Sequence, residues 1–290
     1  MYIETWIKSM TNMKKAVNTI KTYERGLKAF LLWKFDTLED QDLNEYEAVD
    51  TEEVYEYLND KEFADSTKNL YQIAIHLFWS FLTEKKIISD NKLEKIKLIK
   101  LEEPIPEPFT VDEVNAIFDK MQNSPFKRCV DRDIAIMTIM LSIPVRKNEI
   151  LKLKLADYSD TGELTFRNRK GKKSTVVGCS RKIIMAIDKY LLTRNDNCEY
   201  LFVTEQADGP IGIDAIDNIV MKYAGCNPHK LRGTAATMMY KSGVPLERIE
   251  FVGGWQKNSI TLRRNYIRID SEDARNDLEA TEKFIASRRL

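Results

Sequence analysis

Histidine is nearly absent from this chain. Its 290 residues include two, His76 and His229, beside four cysteines, eight prolines and eleven glycines. Cys129, Cys179, Cys198 and Cys226 are widely separated and form no CxxC pair. This excludes a disulfide framework or a cysteine-built zinc site, and the thiols read as reduced and structural. No metal site and no cofactor is expected. No apolar run reaches the ~18 residues of a membrane span, and the opening MYIETWIKSMTNMKK lacks the basic-then-apolar order of a secretory signal. A cytoplasmic protein without a membrane partner is therefore expected. Few Gly and Pro, with 43% hydrophobic residues, exclude fibrous and disordered classes, and the length suits two domains, each with its own core. No 20–50 residue repeat appears, which excludes a solenoid.

The formal net charge is zero, yet the charges are unevenly placed. From Asp36 to Asp65 the chain is a run of acids against the single base Lys61, so the rest of the first hundred residues is basic, including Lys14, Lys15, Lys21 and Lys68. A phosphate-facing surface can thus be separated from an acidic outer face, although two solvated helix faces give the same pattern.

The first domain reads as a helical bundle over residues 1–98. NTIKTYERGLKAFLLW spaces Ile20, Tyr23, Leu27, Phe30 and Leu31 as one helical stripe, and STKNLYQIAIHLFWSFLTEK spaces Leu70, Ile73, Leu77, Phe78 and Phe81 as another. His76 lies among the aromatics of the second helix and reads as packed or surface-facing. LIKLEEPIPEPF then crowds prolines without a period, so residues 99–108 are expected to link two domains. In the second domain, 109–290, Thr110 and Glu113 form a capping box that opens a helix to Met121, and a further helix over Arg132–Ser142 is stopped by Pro144. Two strand-like runs, Leu164–Arg167 and Ser174–Val177, flank a basic turn of Arg169, Lys170, Gly171, Lys172 and Lys173, which reads as a hairpin. Helices return over 181–193, 211–224, 229–242, 245–252 and 270–287. The fold class is mainly α with one small antiparallel sheet.

Several polar residues lie where packing does not require them. Arg146 precedes Glu149 by one helical turn. His229 and Arg232 share a face in the first turn of a helix that begins at Pro228, where exposed N–H groups already favour an anion. Lysines crowd the hairpin turn, Trp255 follows two glycines in FVGGW, and Tyr266 lies between Arg264 and Arg268. Singly, each has a structural explanation: an ion pair, a solvated turn, an apolar anchor, an amphipathic surface.

In order, they resemble the catalytic set of the tyrosine recombinases, the phage integrase and Xer family. PVRKNEILKLKLAD is similar to that family's first arginine box, HKLRGTAATMMYKSGVPLERIEFVGGW to its second, and NTIKTYERGLKAF to its helical core-binding domain. The resemblance implies a two-domain clamp on double-stranded DNA that cleaves and rejoins a recombination site through a 3′-phosphotyrosine. Arg146 and Arg232 would clamp the scissile phosphate with Glu149 in support, and Tyr266 would attack. Lys170 would protonate the leaving 5′-oxygen, with Lys172 a competitor for that role, and His229 would act as acid/base. Trp255 stands where many members have a second histidine. Lys14, Lys15, Lys21, Lys68, Lys172 and Lys173 would contact DNA, and the protein would assemble as a dimer or tetramer on it. The tail helix, apolar through Leu278, Phe284 and Ile285, would dock on a neighbouring protomer or pack on its own chain.

The chain departs from the family pattern at Pro144 and Val145, at Gly233, and in a Trp255-to-Tyr266 interval about two residues longer than the family's usual spacing, so the loop is expected to bulge. The chemistry suits the residues. A five-coordinate phosphorus carries extra charge that planar, permanently cationic guanidinium groups stabilise. A tyrosine hydroxyl, ordinarily titrating near ~10, needs a proton acceptor or a positive field. Two alternatives remain at this level: type IB topoisomerase-like relaxation, or a DNA-binding protein of the same fold without the chemistry.

Overall fold

The structure is a computed structural model that describes residues 2–100, 107–124, 129–167, 169, 174–206, 209–267 and 271–287, without the side chains of Glu272, Asp277 and Phe284. It divides into two compact units, Met1–Glu103 and Pro104–Leu290.

The first unit holds helices α1 (Tyr2–Asn12), α2 (Val17–Phe35), α3 (Leu43–Ala48), α4 (Thr51–Asp60) and α5 (Asp65–Glu84). Its core is aromatic: Trp6, Phe30, Tyr46, Tyr57, Phe78 and Trp79 are buried together, and Trp79 Nε1 donates to Tyr46 O at 2.9 Å. The acidic run is not a featureless solvated stretch. Asp50 caps α4 in a box closed by Glu53, and Val54, Tyr57 and Leu58 face inward while Glu52 and Glu56 face out. Of the expected stripe on α5, Phe78 and Phe81 are buried and the other three residues are not. Leu70 is exposed and Ile73 and Leu77 are half-buried, whereas Tyr71, Ala74, Ile75, Phe78, Trp79 and Leu82 form the buried face. Between Tyr71 and Leu82 the apolar residues of α5 spread over more than one face, and the polar Gln72 is itself buried, so spacing alone does not choose the inner face. The chain leaving this unit is held against α5 as far as Ile99, by a reciprocal pair of hydrogen bonds with Asn69 at 2.8 Å and by Gln72 Nε2 donating to Lys97 O.

Helices α2 and α5 meet at Gly26. A Cβ there would lie 2.4 Å from Tyr71 Cδ1, within the ring's own volume. Overpacking costs about 1–3 kcal/mol, against about 1 kcal/mol gained from better helix propensity. Gly26→Ala is therefore expected to lower the thermal midpoint of the first unit, and calorimetry checks it.

The second unit is built around α7 (Val130–Ser142), which follows α6 (Val111–Gln122) and is buried on most of its circumference, with Ala135, Ile136, Met137, Ile139 and Met140 inaccessible. The Thr110–Glu113 capping box opens α6 as read from sequence. After α8 (Lys147–Leu151) and a 3₁₀ turn, β1 (Glu163–Phe166) pairs antiparallel with β2 (Thr175–Gly178), matching Glu163 to Gly178 and Phe166 to Thr175. Helices α9 (Arg181–Leu191), α10 (Ile213–Ala224), α11 (Pro228–Lys241), α12 (Leu246–Gly253), α13 (Ile260–Asn265) and α14 (Ser271–Ser287) complete the unit. The small residues of α11, Thr234, Ala235, Ala236 and Thr237, are buried, and α11 packs on α7. Thr234 Oγ1 accepts from the Phe109 amide at 3.0 Å, fixing the entry into the unit. On α14, Asp273 pairs with Lys241 at 2.9 Å, while Leu278 and Ile285 are exposed. No described helix is long and apolar enough to cross a membrane.

Candidate active site

The start of α11 is set by two residues. Pro228 occupies the first helical turn, where its missing N–H costs nothing, and Asn227 Oδ1 accepts from the amides of His229 and Lys230. This fixes His229 and Arg232 on one face. His229 Nδ1 lies 3.0 Å from the hydroxyl of Tyr266. Burial, with the nearby charges of Arg232, Arg146 and Lys147, holds the imidazole's pKa below its usual range and favours the uncharged ring, which in its Nε2–H tautomer presents Nδ1 to that hydroxyl as an acceptor.

Arg232 is 2% exposed. Its Nη1 donates to Pro144 O, and its guanidinium lies 3.8 Å from the centre of the Trp255 ring and 5.6 Å from that of Tyr266. Nε and Nη2 have no hydrogen-bond partner among the described residues. Burial, reinforced by Arg146, draws its pKa down to about 10, which still leaves it a cation at pH 7. A buried cation with two uncommitted donors is a site for an anion.

Arg146 begins α8 and is held by Glu149, whose carboxylate accepts from the Arg146 amide and from Nη1, both at 3.1 Å. Arg146, His229 and Arg232 line one cavity of about 430 Å³. Lys147 shares that wall, paired with Asp217 at 2.6 Å, a cation that the sequence reading passed over although it adjoins Arg146.

Tyr266 is brought in by the segment from Trp255. Between them runs a short helix, α13. The buried carboxylate of Glu250 accepts from the amides of Asn258 at 3.0 Å and Ser259 at 2.8 Å, and Ser259 caps the helix at Leu262. Thr237 Oγ1 donates to Tyr266 O and ties the tyrosine backbone to α11. Trp255 is buried with Ile249, Leu262 and Ile267, its ring edge-on to that of Tyr266. Both glycines before it are sterically required: a Cβ at Gly253 would lie 1.9 Å from the Trp255 ring, and Gly254 is left-handed at φ +67° with Arg169 against it.

That last contact corrects an expectation. Arg169 was read with the solvated basic turn, but it is buried, and its Nη2 donates to Glu149 Oε2 at 3.2 Å. Sequence offers no signal for this, since Arg169 is one base among four in RKGKK. Lys170, Lys172 and Lys173 lie outside the described residues. Of the other expected DNA-binding lysines, Lys14, Lys15 and Lys21 are exposed and Lys68 is half-buried, with Nζ on Asn59. His76 is half-buried, its Nδ1 against Leu93 O. The four cysteines are free thiols, and no group of metal-ligating side chains occurs among the described residues.

Comparison with known proteins identifies the family of the chain. The phage integrase family model matches residues 107–273, and that of the phage integrase N-terminal SAM-like domain matches residues 3–86. Tyrosine recombinase XerA of Pyrococcus horikoshii is 30% identical over 198 residues, which cover 66% of each protein. Tyrosine recombinase XerC of Caldanaerobacter subterraneus is 26% identical over an alignment covering 94% of this chain and 84% of that protein. Among solved structures, a lambda integrase dimer bound to a COC′ core site superposes with a TM-score of 0.72 at 17% identity, covering 93% of this chain and 79% of that one, a likeness of fold. With one family model along each unit and relatives aligned through both, the chain belongs to the phage integrase family, the tyrosine recombinases.

Proposed function

We propose that this recombinase cleaves and rejoins each strand of its DNA site through Tyr266. The tyrosine hydroxyl attacks the scissile phosphorus while its proton passes to His229 Nδ1. The 3′-oxygen stays on phosphorus, the P–O5′ bond breaks, and the 5′-oxygen takes a proton from Lys170. A 3′-phosphotyrosine and a free 5′-hydroxyl result. The reverse attack by a 5′-hydroxyl from the partner strand reseals the bond without an external energy source. Arg146 and Arg232 bind the non-bridging oxygens. Trp255 supports Arg232 from beneath and cannot take up a proton. No metal or cofactor enters the scheme. Lys14, Lys15, Lys21, Lys68, Lys172 and Lys173 bind the phosphate backbone without reading sequence. The active form is a dimer or tetramer on DNA in the cytoplasm, with residues 1–98 and 109–290 as its two domains. The exposed Leu278 and Ile285 of α14 and the dimeric state of the lambda integrase structure support the assembly.

The observation that carries the reading is the buried Arg232, with Nε and Nη2 uncommitted, beside a tyrosine already hydrogen-bonded to a neutral histidine. A pure binding module has no use for that pair. The test is covalent capture from a library of nicked duplexes with randomised arms. The wild-type chain is expected to yield a protein–DNA band on a denaturing gel, and Tyr266→Phe to bind the recovered site without one. Binding without any covalent band from the wild type would leave only the DNA-binding reading. Relaxation of a supercoiled plasmid lacking the site would favour the topoisomerase.

A further inference from the structure

Arg169 is a buried cation with an unusual set of partners. Its side chain is wholly inaccessible, and its guanidinium lies 4.4 Å from the centre of the Phe166 ring at the end of β1. Nη1 donates to Val252 O at 2.6 Å and to Phe251 O at 3.4 Å, in the last turn of α12, where the helix presents its negative end. Nη2 donates to Glu149 Oε2 at 3.2 Å. The side chain also lies so close to Gly254 that a Cβ there would fall 2.8 Å from Cδ. One residue therefore ties together β1, the start of α8 and the turn that leads into Trp255.

Burying a guanidinium group is costly, and an apolar side chain of similar size would serve packing at least as well. What an apolar side chain cannot do is share Glu149. That carboxylate already holds Arg146 through its amide and Nη1. Paired with Arg146 alone, it would cancel much of the charge that Arg146 carries into the cavity. Paired with both, it belongs to a triad of two cations and one anion, whose net positive charge lies at Arg146, the more exposed member.

We infer that Arg169 is a positioning residue for strand cleavage: it draws on the charge of Glu149, so that Arg146 is oriented by that carboxylate without being neutralised by it. The inference rests on Arg146 as a ligand of the scissile phosphate. It also places a fixed point one residue before Lys170 in the chain.

The test compares a suicide duplex bearing the captured site with one whose scissile phosphate is replaced by a neutral methylphosphonate, which depends less on a cationic partner. Single-turnover covalent cleavage is measured at saturating full-length protein for the wild type, Arg146→Ala, Arg169→Met and Arg169→Met/Glu149→Gln, alongside DNA affinity and thermal midpoint. Arg169→Lys, which keeps the charge but not the fork, serves if the Met variant does not fold. On the phosphate, Arg169→Met is expected to slow cleavage on the order of 100-fold, the effect of a small misplacement at a reacting centre. On the methylphosphonate the loss shrinks, as it does for Arg146→Ala, and adding Glu149→Gln restores part of the rate on phosphate by removing the carboxylate left to neutralise Arg146. Arg169→Lys falls between wild type and Met. Equal losses on both substrates from the Arg169 variant, with no recovery from Glu149→Gln, would reduce Arg169 to a structural strut and overturn the inference. If Arg146→Ala itself shows no relief on the methylphosphonate, the reading of Arg146 fails instead, and the two failures are told apart.

Discussion

Arg232→Lys is expected to abolish most strand cleavage while leaving DNA binding nearly intact. Arg232 is inaccessible, so it adds little to the first encounter with DNA. Its contribution falls where charge develops. Losing one preorganised donor to an oxyanion typically costs about 10²–10³-fold in rate. Lysine retains a positive charge but offers a point charge in place of a planar fork, so it cannot keep Pro144 O, the Trp255 face and two phosphate oxygens together. Single-turnover cleavage of the captured site, with an equilibrium binding curve beside it, separates the two effects. A parallel fall in affinity and rate would mean that Arg232 holds the fold rather than the transition state.

His229 sets the second large effect, and its sign follows from the environment. Burial and three neighbouring cations lower its pKa, so the imidazole is the neutral, proton-accepting form at pH 7. Acidification must protonate it and remove the acceptor from the Tyr266 hydroxyl. The rate at subsaturating DNA, which reports groups of the free enzyme, should therefore be level above neutrality and fall about tenfold per pH unit below a midpoint under ~6.5. His229→Gln keeps a polar group near the hydroxyl but takes no proton. It should lower the plateau by about 10²–10⁴-fold and erase the acid limb. An acid limb that persists in the variant would assign it to another group.

Arg232 and His229 are both visible in the sequence, and the reason is chemical. HKLR opens a helix behind a proline, so its spacing places two side chains on one face whatever the rest of the chain does. The capping box at Thr110 was legible on the same ground, since both partners lie within one turn. The inner face of α5 was not, because its apolar residues spread over more than one face, and its orientation is decided by Tyr46 and Phe30 arriving from other elements. Glu250 and Arg169 were missed for a related reason. An acid in LERIEFVGG and a base in RKGKK look solvated until the fold shows amides of Asn258 and Ser259 turned toward one and a carboxylate toward the other. Buried charges make their case through partners distant in sequence, and spacing does not record those. Glu250 also fixes the approach to Tyr266, its carboxylate accepting from the amides of Asn258 and Ser259 just before the capped start of α13.

Tyr266 is expected to form the covalent bond to DNA. The most direct measurement is to trap the complex on a nicked duplex of the captured site, digest both DNA and protein, and identify by mass spectrometry the peptide that retains a nucleotide. The expected product is a nucleotide joined through its 3′-phosphate to Tyr266, within the peptide NYIR left by trypsin. A nucleotide on any other residue, or attached through its 5′-phosphate, would contradict it.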